Sequence, residues 1–245
     1  MVKRMLSMLV LLQLAGCAGG PHLFDGQAGS SGKACEPPSQ EQTLALNLAR
    51  DMVSEGRLYA ALAHLQGLSA SLPEVRLGQA QVLRRLGRSE AQGLYQSLLG
   101  TCLAAAGRHG LGQLAVARGD LPEAEQQLRE AVRLAPVDAR VRNDMGVLYL
   151  RQGRVEEANF EFLTAMELDQ ADTRPALNLL ALLFYQQRWD QAAKLITSLG
   201  LSAEQTRSAE ALARELKQPT GRTLPLADAS PVMEAVRHTV PSARR

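Results

Sequence analysis

A period of 34 residues constrains this chain more than any other feature in it. Leu111-Gly112, Met145-Gly146 and Leu179-Leu180 stand 34 residues apart. The same register aligns Gly119 with Gly153 and Gln187, Ala124 with Ala158 and Ala192, and Leu128 with Phe162 and Ile196. Ala131, Ala165 and Leu199 follow, then Leu134 and Leu168, with Pro136 closing the first of these units. An earlier unit repeats the register through Leu48, Ala49, Gly56, Leu58, Ala61, Leu65, Leu68 and Pro73. Between them, Pro73 to about Ala104 is degenerate: its turn glycine is Gly87, and its small second-helix residue is displaced to Ala91. Self-similarity at this spacing predicts an array of about five units over 42–205, each burying its apolar face only against its neighbours.

Each recurring position has a physical reason. Glycine and alanine fall where two helices must cross closely. The mid-unit glycine ends the first helix in a backbone conformation that other residues resist. Unit four predicts a helix from about Ala139 to Gln152, a stop at Gly153, and a second helix over Val155–Asp169. A composition with only 4% aromatic residues suits a helical core built from Leu and Ala. Because the end of such an array needs a polar cap, Ser202 is expected to open a last helix running to about Lys217. Glu204 and Glu210 would lie on its polar face, and Ala211, Leu212 and Leu216 would face inward.

These residues resemble the tetratricopeptide repeat. The resemblance implies an all-α fold: a right-handed helical solenoid of about five repeats plus a C-terminal capping helix, here over 41–217. In that family the second, fifth, ninth and twelfth positions of each unit face a concave groove that binds protein segments. Carried onto this sequence, they are His109, Gln113 and Val116 in unit three. Unit four supplies Arg140, Asn143, Val147 and Leu150, with Arg151 beside them, and unit five Arg174, Leu177, Ala181 and Phe184. Members that clamp a terminal carboxylate use Lys and Asn, where this chain has His109, Gln113 and Asp144. The groove reads as apolar toward Phe184 and polar toward Arg140 and Asn143, suited to a helix or strand with apolar anchors and an acidic residue.

The N-terminus carries a different signal. Lys3 and Arg4 precede an apolar run from Met5 to Leu14, and Leu14-Ala15-Gly16-Cys17 follows. The run is about half the length of a membrane-spanning helix and has the zones of a signal peptide over 1–16. Its end resembles the lipobox of bacterial lipoproteins, which implies acylation of Cys17 and a stable membrane anchor. Ala18 after the cysteine implies the outer membrane, with the protein on its periplasmic face. Residues 17–40 are Gly-, Ser- and Pro-rich and read as a flexible linker; Gln218 to Arg245, with four prolines, read as a disordered tail. Gly26 to Lys33 superficially suggests a phosphate loop but has the wrong glycine spacing and no Ser or Thr after the lysine. Cys35 and Cys102 are left over, and in an oxidising compartment they either pair or stay free.

The charge and the motifs exclude several functions. The whole chain is +2, and removal of Lys3 and Arg4 leaves the mature chain near zero, with no long-range attraction for nucleic acid. The four histidines have no metal-ligand spacing, and no H-E-x-x-H, G-x-S-x-G or C-x-x-C motif occurs. No metal, no cofactor and no enzymatic activity are expected. A lipobox, a spacer and a repeat array together resemble the pilotin-type lipoproteins of secretion and pilus machines. Asp138 to Gly146 and Asn178-Leu179-Leu180-Ala181-Leu182 look most like the TadD family of tight-adherence (Flp) pilus systems. That resemblance implies a role in assembling the pilus secretin, with the secretin or another assembly component as protein partner. An envelope adaptor for peptidoglycan enzymes, or a type IV pilus pilotin, would share the same architecture.

Overall fold

The computed structural model describes residues 36–217. The expected signal peptide, Cys17, Cys35 and the expected tail over 218–245 lie outside the described residues. Eleven helices follow one another in the described part, the first ten as antiparallel-type pairs. The pairs are α1 (Gln40–Ser54) with α2 (Leu58–Gln66), α3 (Pro73–Arg85) with α4 (Glu90–Gln96), and α5 (Ala104–Arg118) with α6 (Leu121–Leu134). Then come α7 (Ala139–Arg151) with α8 (Val155–Leu168), α9 (Arg174–Tyr185) with α10 (Trp189–Leu199), and a single α11 (Ala203–Lys217). Each second helix packs on its own first helix, and α2, α4, α6 and α8 also pack on the first helix of the following unit.

The small residues do what the spacing predicts. A methyl group added at Gly112 would meet Leu128 Cγ at 2.7 Å, and one at Gly146 would meet the Phe162 ring at 2.6 Å. The equivalent contact in the first two units is made by Ala49 and Ala80, both buried. Between the paired helices the chain turns at Gly56, Gly87, Gly119 and Gly153, each with φ between +68° and +78°. The fifth unit reaches the same left-handed conformation at Gln187, with φ +60°, at a steric cost glycine does not carry. These stops also settle the degenerate unit: Gly87 to Gly119 is 32 residues, so unit two is two residues short rather than absent.

The last unit departs from the pattern. Leu180 stands where Gly112 and Gly146 stand, and a leucine side chain there leaves no room for close crossing. Accordingly α10 packs far less extensively on α9 than α6 does on α5 or α8 on α7. The principal neighbour of α9 is instead α11, which has hardly any contact with α10. Ser202 opens α11 as expected: its Oγ accepts from Gln205 N at 3.2 Å, and Gln205 Oε1 accepts from Ser202 N at 2.8 Å, a reciprocal cap. The expected inward face is corrected in one residue. Ala211 is exposed, and Ala209 and Ala213 are buried, with Leu212 and Leu216 packed against the core. Two alanines four residues apart let α11 approach the leucine-rich α9 closely, which Ala211, on the opposite side of the helix, cannot do.

Candidate functional site

The first helices α3, α5, α7 and the start of α9 line a cleft of about 90 Å³, open to solvent. Registered from the stop glycines, its walls are groove positions: Leu77, Gln81 and Arg84 of α3, His109 and Gln113 of α5, Arg140 of α7 and Arg174 of α9. Thus four of the residues expected from the resemblance, His109, Gln113, Arg140 and Arg174, converge on one cavity. The α3 residues and Tyr95 of α4, which also line it, were missed because unit two breaks the 34-residue period. The signal that finds them is the 32-residue distance between Gly87 and Gly119.

The floor of the cleft is a hydrogen-bonded chain crossing three consecutive first helices. Asp144 Oδ2 accepts from His109 Nε2 at 2.6 Å and from Gln113 Nε2 at 2.7 Å. Asp144 Oδ1 accepts from Asn143 Nδ2 at 3.2 Å, and Asn143 Oδ1 accepts from Asn178 Nδ2 at 2.8 Å. The carboxylate is almost fully enclosed, its side chain 4% exposed. Burial alone would raise its pKa. The hydrogen bond and charge of His109, then the amides of Gln113 and Asn143, outweigh burial and hold it below the usual carboxylate value. Because Asp144 accepts, Nε2 is the protonated nitrogen of His109, and the 3.3 Å approach of Gln113 Nε2 to it is a contact between two donors.

Above this floor, two guanidinium groups are braced in the same way one unit apart. Asp138 N-caps α7 through Arg140 N at 3.0 Å and holds the Arg140 side chain through Nε at 3.2 Å and Nη2 at 2.9 Å. Asp172, one residue before the Thr173 N-cap of α9, accepts from Arg174 N at 2.9 Å and holds the Arg174 side chain through Nε at 2.9 Å and Nη2 at 2.6 Å. Desolvation pushes each aspartate up, but its own arginine more than offsets that, so both stay below the normal range. Each fork is bidentate, a geometry that fixes the direction of the guanidinium plane. Arg84, whose Nε lies 3.4 Å from Tyr95 Oη, adds a third cation from the opposite wall.

Other expected groove residues are not on an open surface. Asn143, Leu150, Ala181 and Phe184 are buried, as is Val116, while Val147 and Leu177 are half-buried. Asn143 belongs to the polar floor, and the Phe184 ring stacks at a tilt on Trp189 of α10, with centroids 5.8 Å apart. The expected apolar end of the groove is therefore part of the core. Arg151 is half-buried beside α11; burial lowers its pKa to about 10, and the Glu215 charge opposes this. Cys102, in the connection from α4 to α5, is disulfide-bonded. Among the described residues no group of His, Cys, Asp and Glu has the arrangement of a metal site, and no helix is long and apolar enough to cross a membrane.

A solenoid of paired helices with a polar cleft lined by its first helices defines a repeat scaffold. Residues 109–175 match the tetratricopeptide repeat family model. The chain is 44% identical over 216 residues to the TPR repeat-containing protein PA4299 of Pseudomonas aeruginosa, covering 88% of this chain and 86% of that protein. The chain belongs to the tetratricopeptide-repeat proteins. Among solved structures it resembles TTC0263, a thermophilic TPR protein of Thermus thermophilus, with TM-score 0.59 and 20% identity over 71% of this chain and 97% of that one. It also resembles pilF of Pseudomonas aeruginosa, with TM-score 0.54 and 18% identity over 71% of this chain and 87% of that one. At such identities the two structures speak for the fold alone.

Proposed function

We propose that this protein is a lipid-anchored scaffold of tight-adherence (Flp) pilus assembly on the periplasmic face of the outer membrane. Its concave cleft captures an acidic segment of the secretin or of another assembly protein. The observation that carries the reading is the cleft itself, where Arg84, Arg140 and Arg174 converge over a floor already saturated with hydrogen bonds. The floor groups are paired with one another, and Asp138 and Asp172 hold the Arg140 and Arg174 guanidinium planes in fixed directions at the walls, so a segment entering the cleft meets oriented cations. A carboxylate side chain on an extended or helical segment matches them.

The remaining support is sequence. Leu14-Ala15-Gly16-Cys17 resembles a lipobox, and the tight-adherence resemblance rests on the residues from Asp138 to Gly146 and from Asn178 to Leu182. With Cys17 acylated, Cys35 is the partner of Cys102. The anchor confines the cleft to the membrane plane and raises its effective concentration for a membrane-bound client.

The test is a pull-down from outer membranes with wild type, Cys17→Ser, and the double variant Arg140→Ala/Arg174→Ala. The double variant should retain its fold, lose about tenfold in affinity for the captured partner, and show a weaker salt dependence. Cys17→Ser should fold, leave the membrane fraction and fail to support piliation. Equal recovery of every partner by the double variant would remove the cleft as the binding surface, and full piliation by soluble Cys17→Ser would remove the tether. Recovery of peptidoglycan enzymes in place of the secretin would make the protein an envelope adaptor.

A further inference from the structure

The array has two ends, and the described residues close only one of them. In units two to five the third and seventh positions of the first helix pack against the second helix of the preceding unit. Val75, Val141, Leu111, Met145 and Leu179 are between 1% and 9% exposed there. Gln79 Nε2 donates to Leu65 O of α2 at 3.0 Å, and a methyl group at Gly107 would lie 2.8 Å from Tyr95 O of α4. In unit one the same two positions are Leu44 and Leu48, and they are 71% and 44% exposed. They lie one turn apart on one face of α1, and they are leucines although no preceding second helix exists among the described residues. An exposed pair at a register position that is otherwise always filled is an unoccupied docking surface.

We propose that this surface is covered by Leu23-Phe24 of the same chain. These are the only large apolar residues between Cys17 and Glu36, so the segment leading into α1 contains one apolar anchor and no competitor. The reach is sufficient. With Cys35 held at Cys102, the tether is residues 25–34, which can extend to about 33–36 Å at 3.3–3.6 Å per residue, whereas Cys35 lies at most about 17 Å from Gln40 along the chain and Leu48 about 12 Å further along α1. The root-mean-square span of such a Gly- and Ser-rich tether, about 17 Å, keeps Leu23-Phe24 near the face at millimolar-order effective concentration. A second copy is the less suitable occupant. Antiparallel pairing of two α1 helices about Leu44 and Leu48 sets Glu41 opposite Asp51, like against like. With Leu23-Phe24 docked, only residues 18–22 remain free between Cys17 and the array, so the linker acts as a short strap that holds unit one at the anchor.

The test places the photo-crosslinker p-benzoylphenylalanine at Leu44 of the full chain, with a control at exposed Phe160 of α8. Both sites are on the surface, so the helical content should match wild type. Irradiation should give a within-chain crosslink from position 44, but not from position 160, to the peptide containing Leu23 and Phe24. That crosslink should be lost in Leu23→Ser/Phe24→Ser. Crosslinks between chains, crosslinks to residues 5–14, or none from position 44 would each overturn the proposal. None of these outcomes depends on the cleft, so they leave the capture reading standing or falling on its own test.

Discussion

Asp144 is the residue on which the concave face turns. Its carboxylate gathers a histidine and two amides from its own and a neighbouring helix, and its enclosure makes every one of those hydrogen bonds expensive to leave unmade. Asp144→Ala strands His109, Gln113 and Asn143 in a buried setting and should destabilise the array by about 3 kcal/mol at pH 7, read as a shift of the urea midpoint. The pH dependence has a definite sign. Since the folded-state pKa of Asp144 is depressed, its contribution is fully present above the unfolded carboxylate value of roughly 4 and is lost as pH falls through the lower folded value. The difference in stability between wild type and Asp144→Asn should therefore be largest near neutrality and shrink below pH ~4; a difference that grows in acid would contradict this assignment. Asp144 was legible in sequence only as a departure from the clamp pattern. That it has partners 31 and 35 residues away is a matter of how the helices stack.

At the scale of the element, the spacing of small residues decides how closely paired helices cross. Gly112 against Leu128 and Gly146 against Phe162 give the close pairs α5–α6 and α7–α8, and Leu180 gives the splayed pair α9–α10. The paired polar contacts change with it. Arg108 Nη1 donates to Gln127 Oε1 at 2.9 Å and Arg142 Nη1 to Glu161 Oε2 at 3.1 Å, whereas the same two positions in unit five are Ala176 and Leu195. Gly146→Ala forces a methyl into the Phe162 ring. It should cost about 1–3 kcal/mol, a Tm lower by roughly 3–10 °C for an array of this size. Gly93→Ala, where a methyl meets nothing within 4 Å, is the matched control and should leave Tm within error or raise it slightly. Helix limits, stop glycines and the α11 cap were legible because each depends on residues a few positions apart. The buried state of Leu150, Ala181 and Phe184 was not, because a family's groove position says which way a residue points, not what lies over it.

For the whole molecule, closure of the C-terminal end is the controlling event. The stacking pattern would place a sixth first helix between α9 and α10, but α11 settles on α9 almost alone, and α9 ends up with eight buried residues. Truncation after Gly200 should uncover the side of α9 that α11 covers in the intact array. The expected result is binding of an apolar fluorescent dye and accelerated amide exchange throughout α9, with α3–α6 still protected. Uniform loss of protection along the array would mean that the units are more strongly coupled than nearest-neighbour stacking implies.

The sequence by itself determined the period, the pairing of helices, the places where they turn and the sites where they must cross closely. All of these follow from side-chain volume and backbone conformation at short range, repeated. Only the tertiary structure decided that Arg84, Arg140 and Arg174 meet at one cleft, that a buried aspartate ties three first helices together, and that the last helix folds onto α9. Those outcomes depend on how successive units rotate against one another, which is not visible until the repeats are stacked.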